Sequence, residues 1–217
     1  MSTTLPAHPH GNQPLYSWGA PAAEAAAAMI LLHGRGATAE GILTLAAAFA
    51  RPHLAYLAPQ AAGNRWYPYR FLEPVARNEP YLSSALQRID EIVAQLNDAG
   101  ISSAQIILGG FSQGACVAAE YAARHARRWG GLLIFSGGLI GPPGAAFEYA
   151  GALAGTPTFI GCSDTDFHIP LTRVHETTEV LTSLGANVTE RIYPGMDHTI
   201  IEDEIEEAQA IIDQLEE

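Results

Sequence analysis

A serine framed by glycines, Gly110-Phe111-Ser112-Gln113-Gly114, is the first place in this chain where residue type and spacing could do chemistry. The short apolar run from Gln105 to Gly109 precedes it, and Ala115 to Arg124 follow with helical composition. Strand, Gly-x-Ser-x-Gly and helix, in that order, is the setting in which a serine sits on a tight turn with its hydroxyl lifted above a sheet. Glycines at 110 and 114 would remove Cβ atoms that otherwise collide in such a turn. The helix N-terminus behind Ser112 favours negative charge. The chemistry would be nucleophilic attack on a carbonyl; the bland alternative is an ordinary Gly-rich strand-to-helix turn.

A serine hydroxyl is a weak nucleophile at neutral pH and needs a base, which in turn needs an orienting acid. On a strand–turn–helix serine the expected chain order is Ser, acid, His. Asp164 and Asp166 follow a strand-like run ending at Gly161, and His198 follows another ending near Tyr193. Two aspartates two residues apart on an extended loop can share a face, so spacing leaves both open as the acid. The other histidines lie in less telling places. His8 and His10 are near the N-terminus, His33 would brace the loop that starts at Gly34, His53 and His125 fall at element ends, and His175 lies on a helix. Two backbone N–H donors are needed for an oxyanion. Gln113, directly after the serine, and Arg35, in the Gly-rich loop His33-Gly34-Arg35-Gly36, are the expected pair. Asp164, Asp166, His168 and His175 could be gathered around a metal, but that is the weaker use of them and no metal is expected.

These residues must be positioned by an alternation of strands and helices. Apolar runs at 28–32, 54–57, 105–109, 132–135 and 156–161 read as buried strands, and residues 188–193 alternate. A short edge strand is expected at 15–18. Helices are expected over 39–50, 81–99, 115–124, 171–184 and 201–215. The second shows an apolar stripe of Leu82, Leu86, Ile89, Val93 and Leu96. Residues 139–155 read as loop, with room for one short helix. The pattern predicts one α/β domain with a mostly parallel sheet of six or seven strands and helices on both faces. Residues 1–14 are expected to be a loose arm and residues 15–217 the domain. Each candidate residue follows a strand, at the edge where sites form in such sheets.

Composition sets limits. The chain has 217 residues, 48% of them hydrophobic, which suits one large domain with a real core. Net charge is −12, and from Glu202 onward there are acidic residues and no basic one, so a phosphate-neutralising surface is not expected. All 11 basic residues are arginine, which removes Schiff-base, Ser-Lys and phosphate-loop lysine chemistry. Cys116 and Cys162 lie in apolar segments and read as small buried hydrophobes. No signal peptide or membrane span is expected, so the expected location is the cytoplasm.

Taken together, the pieces Leu31-Leu32-His33-Gly34-Arg35-Gly36, Trp66-Tyr67, Leu108 to Gly114, Asp164-x-Asp166-x-x-Ile169-Pro170 and Gly195-Met196-Asp197-His198 resemble the carboxylesterase/phospholipase family of α/β-hydrolases. That family includes the acyl-protein thioesterases. The resemblance implies an α/β-hydrolase fold and hydrolysis of carboxylic esters or thioesters through an acyl-enzyme, with no cofactor. It implies Asp166 as the acid, because the family's motif places that residue three before the Ile or Val. Arg35 stands where the thioesterases usually carry an apolar residue, Ala37 where they carry Asp, and the segment from Trp66 to Phe71 differs from theirs. The likeness is closer to a bacterial branch of small esterases.

That segment belongs to a stretch, 60–80, with little periodicity. A connection of this length inside a compact domain is often functional. Trp66, Tyr67, Tyr69 and Phe71 are too many aromatic residues to pack inward from an irregular segment, and Trp and Tyr suit the wall of a half-wet cleft. The alternative is a satellite core under a long loop. The expected substrate-binding set is Gly34, Trp66, Tyr69, Phe71, Phe111 and Ile169. A loop folded over the site would favour short-chain or aromatic esters. The expected partner is a small-molecule ester, without nucleic acid or stable membrane association, and a homodimer is left open. A hydrolase fold that binds without catalysis, and a peptidase or peroxide-using variant of the same three residues, are the competing readings.

Overall fold

The computed structural model describes residues 8–215. A seven-stranded sheet runs through the molecule in the order β1-β3-β2-β4-β5-β6-β7. The strands are β1 (Leu15–Gly19), β2 (Ala28–Leu32), β3 (Ala55–Pro59), β4 (Ile106–Phe111), β5 (Gly131–Phe135), β6 (Pro157–Ser163) and β7 (Asn187–Tyr193). Only β1 runs antiparallel, against β3; the other neighbours are parallel. The central strands β2 and β5 are buried at every position, so both faces of the sheet must be covered.

Helices supply the cover. One face carries α2 (Tyr81–Asp98), α3 (Gln113–Arg124) and α4 (Leu171–Ser183), packed on Ile30, Leu108, Ile134 and Ile160. The other carries α1 (Ala39–Phe49) and α5 (Glu202–Asp213), packed on Met29, Leu31, Leu133 and Phe159. Alternate residues of each strand thus feed two separate cores, as the two-residue period of a strand dictates. The five apolar positions expected along α2 are all buried. Helix α3 is buried along nearly its whole length because it lies over the middle of the sheet. No helix among the described residues is long and apolar enough to cross a membrane.

Two expectations need correction. Residues 139–155 contain no helix; the stretch is instead tied down by buried charge. The Arg173 guanidinium donates to the carbonyls of Leu139 (2.7 Å) and Gly141 (2.8 Å), and Glu120 accepts from the Ile140 N–H (3.0 Å). Residues 8–14 are not a loose arm. His10 is fully buried; its Nε2–H donates to the Trp66 carbonyl (2.9 Å) and its Nδ1 accepts from the Ala62 N–H (3.0 Å). Burial lowers the His10 pKa, which keeps the ring neutral as this pairing requires. The rest of that arm, residues 1–7, lies outside the described residues.

Candidate active site

Because β2, β4, β6 and β7 are parallel, their C-terminal ends share one edge of the sheet, and the loops that follow them meet there. Ser112 directly follows β4 and caps α3 with φ 55° and ψ −117°. A positive φ at a non-glycine residue costs about 1–3 kcal/mol and must be imposed by its surroundings. The Ser112 N–H is held by the Phe135 carbonyl at the end of β5 (2.9 Å), and its carbonyl accepts from Cys116 (3.0 Å) in the first turn of α3. A Cβ on Gly114 would lie 2.1 Å from the Leu32 carbonyl oxygen, and one on Gly110 would lie 2.6 Å from the Gly114 backbone. The two glycines let the turn, α3 and the end of β2 close on one another.

His198 comes from the loop after β7. Its Nε2 lies 2.8 Å from Ser112 Oγ, and its Nδ1 lies 2.6 Å from Asp166 Oδ2. With the proton on Nδ1, facing the carboxylate, Nε2 is left to accept the serine proton. Asp166 follows β6, and its side chain is closed to solvent. Burial pushes its carboxyl up. Hydrogen bonds from His198 and from the N–H groups of His168 (2.8 Å) and Ile169 (3.0 Å) outweigh that, and the carboxyl titrates below its ordinary range. Asp164 points elsewhere and accepts from the Gly195 N–H (2.8 Å), which pins the loop carrying His198. The imidazole packs between Phe111 and His168, each ring 4.8 Å from it.

The loop after β2 passes beside the serine. A Cβ on Gly34 would lie 3.5 Å from Ser112 Cβ and 3.3 Å from the Phe111 ring, so Arg35 stands next to Ser112. His33 braces this loop, as its position suggested. Its Nδ1–H donates to the Gly34 carbonyl (2.8 Å), its Nε2 accepts from the Ala61 N–H (3.1 Å), and burial lowers its pKa.

A cavity of about 540 Å³ opens over Ser112 and His198. Of the expected substrate-binding residues, Gly34, Tyr69, Phe71, Phe111 and Ile169 line it, joined by Tyr67, Cys116 and His168. Trp66 does not. It is fully buried, and its indole N–H donates to the His33 carbonyl (2.8 Å), so it belongs to the core beneath the loop. Tyr67 and Phe71 are also nearly closed to solvent, at 1% and 6% exposure, while Tyr69 at 47% is open. An irregular segment can therefore pack most of its aromatics inward when hydrogen bonds hold its backbone. The Arg35 guanidinium donates to the carbonyls of Pro68 (3.0 Å) and Tyr69 (2.6 Å). Asn78 accepts from the Tyr69 N–H (2.9 Å) and donates to the Arg70 carbonyl (3.1 Å). Gln113 clips the Trp66–Tyr67 backbone to the serine turn. These anchors make the segment a fixed wall with a satellite core behind it.

Sequence reasoning missed the side-chain roles of Gln113, Arg35, Asn78 and His10. Each is a polar residue whose partner is a backbone group 8 to 56 residues away, and no spacing rule reports that. Burial pushes the thiols of Cys116 and Cys162 up to about 12, which leaves both as thiols at neutral pH. Among the described residues, no group of three or more His, Cys, Asp or Glu side chains gathers as a metal site. Asp164, Asp166 and His175 are engaged with Gly195, His198 and Glu190 respectively.

Comparison with known proteins gives a consistent picture. The family model described as Phospholipase/Carboxylesterase matches residues 19–216. The crystal structure of a phospholipase/carboxylesterase from Dyadobacter fermentans superimposes with a TM-score of 0.88 at 41% identity, covering 95% of this chain and 97% of that one. Acyl-protein thioesterase 1 of Gibberella zeae is 30% identical over 123 residues, which are 56% of this chain and 52% of the fungal protein. The same-named protein of Saccharomyces cerevisiae is 30% identical over 132 residues, 59% of this chain and 58% of the yeast one. The chain thus spans little more than half the length of these curated relatives.

Proposed function

The chain belongs to the phospholipase/carboxylesterase family, and from that premise we propose that it is a serine esterase acting on short-chain or aromatic carboxylic esters through an acyl-enzyme. The observation that carries the reading is the unbroken run of contacts Ser112 Oγ–His198 Nε2 (2.8 Å) and His198 Nδ1–Asp166 Oδ2 (2.6 Å) at the floor of a cavity.

In this reading Ser112 Oγ attacks the ester carbonyl as its proton passes to His198 Nε2. Asp166 fixes the imidazole tautomer and stabilises the imidazolium that forms. Negative charge gathers on the carbonyl oxygen, where the backbone N–H groups of Arg35 and Gln113 would receive it. The strained turn and the start of α3 place the Gln113 N–H beside the serine; the glycines flanking Arg35 let its loop approach. His198 then returns the proton to the departing alcohol. Water repeats the cycle on the acyl-enzyme and releases the acid. No group beyond these side chains and backbone donors is required.

The chain-length preference rests on the fixed wall from Trp66 to Phe71. A segment held by Arg35, Asn78 and Gln113 has little freedom to open for a long acyl chain. The relatives named acyl-protein thioesterase favour a second reading, an acyl-protein thioesterase, and the family's description adds a lysophospholipase variant of it. A panel of p-nitrophenyl esters from acetate to palmitate, run beside a palmitoyl thioester, separates the two. Under the first reading kcat/KM peaks between acetate and hexanoate. A clear preference for palmitoyl substrates would install the second.

A further inference from the structure

Resting on the reading of this cavity as an ester-hydrolysing site, we propose that its substrates carry a negative charge of their own. The simplest such substrate is the monoester of a short dicarboxylic acid, with its free carboxylate met by Arg70 and Arg35 at the cavity wall.

The chain carries 23 acidic residues against 11 arginines, so a patch with uncompensated positive charge stands out. The charged side chains lining the cavity are Arg35, Arg70 and Glu73, together with the histidines His168 and His198. Glu73 is neutralised by Arg77, whose Nη1 donates to it at 2.8 Å. Asp166 lies behind His198 with its side chain closed to solvent. Neither Arg35 nor Arg70 has a carboxylate partner among the described residues. The partners of Arg35 are two neutral carbonyls, which hold the guanidinium still and leave its charge undiminished. The wall therefore presents two positive charges and no free negative one.

A guanidinium pairs with a carboxylate through two parallel N–H···O bonds, and a fixed guanidinium gives up little freedom in doing so. Arg35 uses two Nη atoms on Pro68 and Tyr69, and Arg70, next along the wall, is exposed. Ser112, both arginines and the aromatic residues Tyr67, Tyr69, Phe71 and Phe111 line the same cavity, with Tyr69 the open one of the three wall aromatics. A short chain with a reacting ester at one end and a carboxylate at the other could reach Ser112 and the arginines within that one cavity.

The test compares monoethyl succinate, glutarate and adipate with ethyl butyrate and ethyl hexanoate, followed by pH-stat at pH 7.5. The wild-type enzyme should favour the best monoester over its neutral counterpart by about tenfold in kcat/KM, the scale of one charge-assisted hydrogen bond. Arg70→Gln should bring that ratio toward one, and Arg70→Glu should take it below the Arg70→Gln value. Melting temperatures matched to wild type would show that the variants fold. A wild-type ratio at or below one overturns the proposal, and so does a ratio that survives both substitutions. Failure to turn over any of the esters, with no fluorophosphonate labelling of Ser112, overturns the esterase reading and this inference with it. Turnover of neutral esters alone overturns only the inference.

Discussion

The side-chain amide of Gln113 accepts the backbone N–H of Trp66 at 2.8 Å, while its own NH2 group donates to the Tyr67 carbonyl at 2.9 Å. The residue whose backbone is proposed to receive the oxyanion therefore also anchors the cavity wall. Gln113 is 5% exposed, so water cannot readily replace it. Gln113→Ala would leave a buried donor and a buried acceptor unpaired, at about 1–3 kcal/mol for each. Urea unfolding should show that loss, and KM should rise as the wall loosens. Unchanged stability and KM would mean that the wall stands without it.

Ser112→Ala should lower ester turnover by at least ~10³ while far-UV circular dichroism and the melting curve keep their form. Removing Oγ also relieves nothing of the φ 55° strain, which resides in the backbone. Turnover near that of wild type in this variant would reject Ser112 as the nucleophile.

The two aspartates should separate sharply. Asp166→Asn should cut kcat by about 10⁴, since His198 loses its counter-charge and its tautomer. Asp164→Asn keeps an acceptor for the Gly195 N–H and should cost less than about tenfold. Steady-state kinetics on one short ester decides it, and the opposite ranking would move the acid to Asp164.

Trp66→Ala should destabilise the fold by about 3–5 kcal/mol, as expected for removing a fully buried large aromatic. This reverses the expectation from sequence, in which Trp66 belonged to the substrate-binding set. Thermal unfolding beside the ester panel tests the new assignment.

Glu204, in the first turn of α5, is fully buried, and one of its carboxylate oxygens has no partner. Burial pushes its carboxyl up from 4.5 to about 7. The folded state therefore binds this proton more tightly than the unfolded chain does. The resulting stabilisation is complete below pH 4.5 and is lost as pH rises through 7. At full extent it is worth about 3 kcal/mol. Glu204→Gln should keep the contact with the Ile201 N–H and flatten this part of the pH–stability curve. Urea unfolding at pH 5 and pH 8 measures both slopes; equal slopes in the two proteins would show that Glu204 is ionised at no cost.

Much of the fold could be read from local pattern because the parallel sheet leaves a plain signature. Apolar runs such as 28–32 alternate with amphipathic helices such as 81–98, and both cores follow from that alternation. The residues around Ser112 were legible for a related reason: a strained turn demands glycines at fixed offsets, as the near-contacts of Gly110 and Gly114 show. The wall of the cavity was not legible. Whether Trp66 faces in or out is decided by the His33 carbonyl, Gln113 and His10, which lie 33 to 56 residues away. The same holds for residues 139–155, where a buried arginine on α4 replaces the hydrogen bonds a helix would have made.

The docking of His10 bears on how the chain assembles as it is synthesised. His10 is synthesised before its partners: the carbonyl it caps lies 56 residues later, at Trp66, and the Ser84 hydroxyl that receives its backbone N–H lies 74 residues later. Synthesis proceeds at about 5–20 residues per second, so this stretch must wait for seconds before its partners exist. A tag or fusion partner joined ahead of His10 thus adds bulk to the segment that closes over the back of the cavity wall, and its effect should fall on acquisition of the finished site more than on the sheet itself.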